Sequence, residues 1–495
     1  MTINELIEFC QPVSVFGKHP EKMGKLRQDS RLIEPGDVFI AIRGIKSDGH
    51  HFIEQAVQKQ ADVIICEQPA DLVDPPLTLV VQNTRLLLGS LAQKMAGNPA
   101  DKLKIIGITG TNGKTTVATL VWQILTRQDK NASLFGTVEN RMNTKILPSR
   151  LTTADPIELA ENMKEIVEAG SQYLVMEISS HALDQDRVRG FGVNIAAFTN
   201  LSHDHLDYHN SMNEYADAKK KLFNSLDSRS WAITNADDKK GKWMVNSTPA
   251  KVLSFSFEGK GLINASVLKS DATGLKLEVD GTEFETPLVG RFNAYNVVQA
   301  LLICTALGLD GSKVAKSLKE CTGAPGRMER VNRANQVNKE PAVFVDYAHT
   351  PNALENVSQT LKKLKKQREK LVIIFGCGGD RDKTKRPEMA RIAETFADRV
   401  VVTSDNPRTE DPEEIIRDIF TGFARPELVT AIPSRKEAIE TVIDQSEPNS
   451  IILIAGKGHE TYQEIDGERF HFDDREIARN ALETRNGHPK NSEVA

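Results

Sequence analysis

The chain has 495 residues, which gives a prior of about three domains at roughly 150 residues each. Hydrophobic residues make up 39% and charged residues 26%, enough apolar material for several packed cores and against a disordered chain. Lysine plus arginine number 63 against 68 acidic residues, a net charge of -5, which argues against an unspecific nucleic-acid or membrane-surface binder. Any anionic ligand must be held by a local constellation of side chains.

The five cysteines (Cys10, Cys66, Cys304, Cys321 and Cys377) are scattered with no CxxC pair. That favours a reducing compartment over a disulfide framework or a structural zinc site. No basic stretch followed by a long apolar run opens the chain, so no signal peptide is expected. Apolar runs such as Ile451 to Ala455 fall far short of the roughly 18 residues of a membrane span. A cytoplasmic, soluble, multidomain monomer is expected, with no nucleic-acid or membrane partner.

In chain order, short apolar β-rich runs alternate with helical-period segments, the pattern of parallel sheets flanked by helices. Strands are predicted at Val38 to Ile42, Asp62 to Cys66 and Leu77 to Val81, then a helix over Thr84 to Met95. The polar joint from Gly97 to Asp101 reads as a linker. A second segment opens with a strand at Lys104 to Thr109, a glycine-rich turn and a helix from Lys114 to about Thr126. Strands follow at Tyr173 to Ile178, Ile195 to Thr199 and Trp231 to Thr234. Alternation between Lys251 and Leu288 reads as a small inserted meander, closed by a helix through Asn296 to Leu307. From about Arg333 a third βα series begins, with strands at Ala342 to Asp346, Leu371 to Phe375, Arg399 to Thr403 and Ile451 to Ala455. The tail after Arg485 is expected to fray.

The strongest chemical signal is Gly107-Ile108-Thr109-Gly110-Thr111-Asn112-Gly113-Lys114-Thr115-Thr116. A glycine-rich turn between a buried strand and a helix lets backbone N–H groups cradle a phosphate chain. Lys114 would neutralise terminal phosphate oxygens and the Thr115 hydroxyl would reach Mg2+. The spacing departs from strict GxxxxGK[ST], because Ile108 stands five before Gly113 and the extra glycine is Gly110. Glu177, at the end of its strand, stands where a nucleotide's magnesium is usually held.

The run from Asn200 to His209 contains His203, His205 and His209. No cysteine or HExxH helix supports zinc, and solvated loop histidines are the plain alternative. On the helix over Met212 to Phe223, Lys219 shares the face of Met212, Tyr215, Leu222 and Phe223, while Lys220 and Lys221 turn away. Such a lysine either snorkels or, with a depressed pKa, takes up CO2 as a carbamate. The Ser180-His181 pair lacks a GxSxG elbow, so a hydrolase is rejected.

In its TGTNGKTT loop the sequence resembles the Mur ligase family, and the resemblance extends over essentially the whole chain. The later motifs are most similar to the members that add diaminopimelate to a UDP-muramoyl dipeptide. The resemblance implies an α/β chain of three domains. Residues 1–98 would form a small α/β uridine-nucleotide domain, and 99–333 a central P-loop parallel-sheet ATPase domain with the inserted meander. Residues 334–495 would form a Rossmann-like domain for the incoming amino acid. It implies ATP as co-substrate and two Mg2+ ions, with Thr115, Glu177, His205 and a carbamylated Lys219 at the metals; His203 receives no role.

For ATP it implies contacts from Gly110, Thr111, Asn112, Gly113, Lys114, Thr115 and Thr116, with Asn296 on adenine, Arg327 on phosphate and Asp346 on ribose. Strand ends are where such sheets bind ligands, although Asp346 before the Pro351 helix also reads as a cap. For the UDP-precursor it implies Ser30, Thr152, Thr153, Ser179, Gln185 and Arg187, and Lys46 near a diphosphate; Arg187 suits a carboxylate. For diaminopimelate it implies Arg381, Asp405, Asn406, Pro407, Arg408, Gly456 and Glu460. Arg408 suits a distal carboxylate and would leave a lysine ammonium facing a positive charge.

The expected reaction is phosphorylation of the D-glutamyl γ-carboxylate by ATP, then attack by the diaminopimelate amine on the acyl phosphate. Domain closure is expected to assemble the ATP site, because its candidate contacts are split between the second and third segments. The rivals are ligation of L-lysine, a folylpolyglutamate-synthetase-like ligase, and a nucleotide-binding regulatory module.

Overall fold

The computed structural model describes residues 1–44, 47–143, 145–147, 151–205, 208–331 and 340–485. Lys46, the expected 333/334 boundary and the tail after Arg485 lie outside them. The chain divides into two compact units, Met1–Ser254 and Phe255–Ala495.

The first unit begins with a five-stranded sheet in the order Ser14–Phe16, Leu77–Val80, Val63–Cys66, Val38–Ile40, Leu26–Arg27. Its strands are parallel except Ser14–Phe16, which pairs antiparallel at the edge. Successive side chains in a strand face opposite ways. Val38, Ile40, Val63 and Ile65 therefore pack with Leu6, Leu88 and Leu91 on one face, and Phe39, Ile64 and Cys66 with Ile53 and Ala56 on the other.

The second sheet of this unit places Trp231–Asn235, Ile195–Phe198, Lys104–Thr109, Tyr173–Glu177 and Ala132–Phe135 side by side, all parallel. Lys104–Thr109 comes first in the chain yet lies in the middle. From it the chain passes first to the outer Ala132–Phe135, returns to Tyr173–Glu177 between the two, then crosses to the other side at Ile195–Phe198. That reversal leaves a crevice beyond the carboxyl ends of the central strands. Three loops therefore meet there: the glycine-rich loop, the one after Glu177 and the one from Thr199.

In the second unit, Ile263–Asp271, Gly274–Val279 and Thr282–Thr286 form the expected antiparallel meander. Leu275, Leu277 and Val279 are buried in alternation, as their spacing predicts. The helix Arg291–Ala306 follows. A six-stranded sheet then runs Glu329–Arg330, Ala342–Asp346, Ile451–Ala455, Leu371–Phe375, Arg399–Val402, Thr430–Ala431, parallel except for its first strand. Val, Ile, Leu and Phe side chains of the central strands are buried on both faces. Such strands read as continuous apolar runs.

Several predicted strands end one or two residues early, because the chain turns out of the ladder to form the functional loops. The helix Pro156–Glu168 and the hairpins Asn140–Met142 with Lys145–Leu147 and Tyr462–Ile465 with Glu468–His471 add to the predicted elements. Among the described residues no helix is long and apolar enough to cross a membrane.

Candidate active site

Gly113 is the N-cap of the helix Lys114–Arg127 at φ +84° and offers no side-chain acceptor to the first turn. A helix start with uncapped N–H groups attracts anions. Gly110 sits at φ +151°, where a Cβ would come 1.8 Å from Thr199 Oγ1, so the loop requires glycine there. The Thr111 and Asn112 N–H groups donate to the Asn200 carbonyl at 2.8 Å and its Oδ1 at 3.0 Å. Thr199 Oγ1 and Asn200 Nδ2 donate to the Asn112 carbonyl at 2.6 and 3.0 Å. Lys114 Nζ folds back to the Gly110 and Thr111 carbonyls at 3.0 and 2.9 Å. Thr116 is buried in the first turn.

The Thr115 hydroxyl donates to Glu177 Oε2 at 3.0 Å, and Glu177 also accepts from the Thr137 N–H at 2.8 Å. Glu177 is only 1% exposed. A hydroxyl and a carboxylate beside an anion-binding helix start form a hard oxygen donor set of the kind Mg2+ takes. These residues fit that ion.

Lys219 is 1% exposed. Its Nζ donates to the Gly110 carbonyl at 3.0 Å and lies 4.4 Å from the Tyr215 ring centroid. Burial, with Lys114 nearby, pushes its pKa well below the ordinary lysine value. Lys220 is half-buried and Lys221 exposed, as the helical face requires. Tyr215 Oη meets Thr111 Oγ1 at 3.1 Å, tying this helix to the phosphate loop. His205, at φ +55°, lies 5.8 Å ring to ring from Tyr215 and 3.6 Å from the Asp204 carboxylate. No hydrogen bond or ion pair joins Glu177, His205 and Lys219 directly; Glu177 and Lys219 meet the loop, at Thr115 and Gly110 respectively.

The expected precursor residues of the central sheet form one network. Thr153 Oγ1 donates to the Glu177 carbonyl at 2.9 Å and accepts from the Ser179 N–H at 3.1 Å. Ser179 caps the short helix Ser180–Asp184 through the Ala182 N–H. Arg187 donates to the Thr153 carbonyl at 3.0 Å and twice to Gln185 Oε1, at 3.0 and 2.6 Å. Burial pushes the Arg187 guanidinium pKa down, partly offset by Asp155 and Tyr208. Its bonded acceptors among the described residues are neutral oxygens. Thr152 accepts from the Thr137 hydroxyl at 3.0 Å. In the N-terminal sheet, Ser30 is buried and donates to Gln55 Oε1 at 2.6 Å.

The second unit holds its own expected set at its strand ends. Asn296 is buried on the Arg291–Ala306 helix and donates to Asn293 Oδ1 at 3.0 Å. Arg327 lies 4.9 Å over the Tyr347 ring. Asp346 accepts the Met328 N–H at 2.7 Å, and burial pushes its carboxyl up to about 6 against that bond and Arg327. Asn406 donates to Glu460 Oε2 at 2.9 Å, and Asp405 is buried beside Gly456, whose φ is +122°. Arg408, at φ +54°, donates to the Gly379 carbonyl at 2.7 Å. Pro407 accepts the Glu410 N–H at 3.1 Å, and Arg381 is exposed.

Tyr215, Tyr208, Thr137, Tyr347 and Lys457 contact these expected residues, and the sequence pattern gave them no role. Tyr208 Oη accepts from Gln185 and donates to Asp184, both at 3.0 Å. Tyr215 had a visible signal, one helical turn before Lys219 on the same face. The others are joined to their partners only by tertiary contacts.

Three family descriptions match the chain: "Mur ligase family, catalytic domain" over residues 25–94, "Mur ligase middle domain" over 108–304 and "Mur ligase, glutamate ligase domain" over 326–458. A UDP-N-acetylmuramoyl-L-alanyl-D-glutamate–2,6-diaminopimelate ligase of Cytophaga hutchinsonii is 39% identical over 98% of this chain and 99% of its own length. The same-named ligase of Geobacillus thermodenitrificans is 39% identical over 93% and 95%. A solved structure with that enzyme name superposes with a TM-score of 0.74 at 34% identity, covering 98% of this chain and 100% of its own. A folylpolyglutamate synthase from Mycobacterium tuberculosis, at a TM-score of 0.58 and 21% identity over 82% of this chain and 96% of its own, shares the fold. With its full-length relatives and its phosphate loop in agreement, the chain belongs to the Mur ligase family.

Proposed function

We propose that the chain is an ATP-dependent ligase that joins meso-diaminopimelate to the D-glutamyl γ-carboxylate of UDP-N-acetylmuramoyl-L-alanyl-D-glutamate, in peptidoglycan precursor synthesis. The observation that carries the site assignment is the crevice at the central sheet. There an uncapped helix start, the Thr115–Glu177 pair and buried Lys219 meet on one loop.

A carboxylate is a poor electrophile, because its leaving group would be an oxide. ATP phosphorylates the γ-carboxylate to an acyl phosphate. The diaminopimelate amine adds to the carbonyl, and the tetrahedral intermediate collapses as the C–O bond to phosphate breaks. Lys114 and the N–H groups of the helix start bear the negative charge that develops on the transferring phosphoryl group. Thr115, Glu177, His205 and Lys219 would hold two Mg2+ ions, which supply charge neutralisation at the phosphates.

Burial, with Lys114 nearby, holds the Lys219 pKa well below the ordinary lysine value and so raises the share of neutral amine, and a neutral amine adds to CO2 to form a carbamate with release of one proton. That converts a buried would-be cation into an oxygen ligand. Arg187, whose hydrogen-bond acceptors are neutral oxygens, binds a carboxylate of the precursor, and Thr152, Thr153, Ser179 and Gln185 fix the chain around it. Ser30 serves the uridine end. Asn296, Arg327 and Asp346 contact ATP, and the loops carrying Arg381, Asp405 to Arg408, Gly456 and Glu460 take diaminopimelate. The enzyme works as a monomer.

The test is phosphate release by purified protein with ATP, Mg2+ and the UDP-muramoyl dipeptide, in parallel with diaminopimelate, with L-lysine, and with a folate plus glutamate. Release that depends on both the dipeptide and diaminopimelate is expected. Release that ignores diaminopimelate or favours lysine overturns the reading.

A further inference from the structure

The loop after the Ile451–Ala455 strand carries a lysine that no role above uses. Lys457 is fully buried. A buried ammonium persists only among acceptors and anions. Its Nζ donates to Asn406 Oδ1 at 2.9 Å and to Glu460 Oε2 at 3.3 Å, and lies 4.0 Å from Asp405 Oδ1. Glu460 Oε2 thus takes Lys457 and the Asn406 amide, whereas no described residue donates to Oε1. Asn406 Oδ1 also accepts the Glu464 N–H at 3.0 Å, so Lys457 and the backbone together fix which way the Asn406 amide points.

We propose that Lys457 is a positioning and specificity-determining residue of the amino-acid pocket. It orients Asn406 and Glu460, and it balances the pocket's charge so that a zwitterionic head is accepted and a lone ammonium is not. The proposal rests on the reading of Asp405, Glu460 and Arg408 as that pocket. Asp405 and Glu460 supply two negative charges beside Lys457, and Lys457, Arg408 and the exposed Arg381 supply three positive ones. Glu464 lies between Arg408 and Arg469, at 3.9 and 3.7 Å. The distal end of diaminopimelate carries an ammonium and a carboxylate and leaves that balance intact. The distal end of lysine adds an ammonium alone and brings Arg408 no substrate carboxylate. Without Lys457 the pocket loses a positive charge beside Asp405 and Glu460, which favours lysine and loosens the hold on the diaminopimelate carboxylate.

The experiment is steady-state kinetics of Lys457→Met against the unaltered chain, varying ATP, the UDP-muramoyl dipeptide, diaminopimelate and L-lysine in turn. The expected result is a rise of about tenfold in KM for diaminopimelate with the other two KM values unchanged. The diaminopimelate-over-lysine ratio of kcat/KM falls by about tenfold, and Lys457→Arg retains the ratio. Lys457→Gln, which keeps a donor for Asn406, carries the same expectation if the methionine variant does not fold. All KM values rising together, or kcat falling with the ratio unchanged, overturns the proposal. Arg408→Ala separates the two layers: no change in its KM for diaminopimelate refutes the pocket reading itself. A raised KM there, with an unchanged ratio in Lys457→Met, refutes only the role of Lys457.

Discussion

Lys219 shows how far a single residue can be read from pattern. Its place on the apolar face of its helix predicted burial, and it is 1% exposed. Its contact with the Gly110 carbonyl arises from residues 109 positions apart, which no periodicity reveals. Lys219→Ala is expected to lose activity by at least about a hundredfold and to regain part of it when a short carboxylic acid is added, the loss being that of one charge-stabilising group. Full activity in the unrescued variant contradicts the carbamate. Asp346 makes a pH-dependent case. Its carboxyl is raised from 3.8 to about 6 by burial, so between those values the native chain holds a proton that the unfolded chain has lost. The associated stability is present below pH 3.8, declines through that window and is gone above about 6. Asp346→Asn is expected to flatten the fall in unfolding free energy with rising pH across that window, read by denaturant titration at several pH values. The same variant flattens any rise in KM for ATP below pH 6 if the ionised carboxylate accepts from ribose.

At the scale of elements, the parallel strands were the most legible, because burial on both faces forces continuous apolar runs such as Leu371–Phe375 and Ile451–Ala455. The hairpin of Asn140–Met142 and Lys145–Leu147 has no such run, since its residues are mostly half-buried or exposed. What joins elements was illegible, and Arg435 is the clearest instance. It is buried, donates to the carbonyls of Ser404 and Ala455 at 3.3 and 3.0 Å, and pairs bidentately with Asp474 on the last helix. One guanidinium thus ties the ends of the two strands that lead into Asp405 and Gly456. Arg435→Met is expected to cost about 3–5 kcal/mol by stranding the buried Asp474. Replacing both partners with apolar residues is expected to recover much of that in a denaturant titration. A single variant as stable as the parent contradicts this role.

For the whole molecule, composition set the chain's size and excluded a bulk basic binder, and the motifs supplied the family. Three family descriptions match the chain in succession, whereas contacts group it into two units. The second grouping depends on packing between segments, which sequence patterns do not encode. The net charge of -5 likewise concealed the cationic groups Lys114, at a helix start, and Arg187, Arg327, Arg381 and Arg408, in loops, where an anion is expected. The central claim is that this chain activates the D-glutamyl γ-carboxylate as an acyl phosphate and passes it to diaminopimelate. Its most direct test uses precursor labelled with heavy oxygen in that carboxylate, with the released phosphate analysed by mass spectrometry. One labelled oxygen per phosphate, released only when diaminopimelate is present, is the expected result; unlabelled phosphate alongside amide product would contradict the claim.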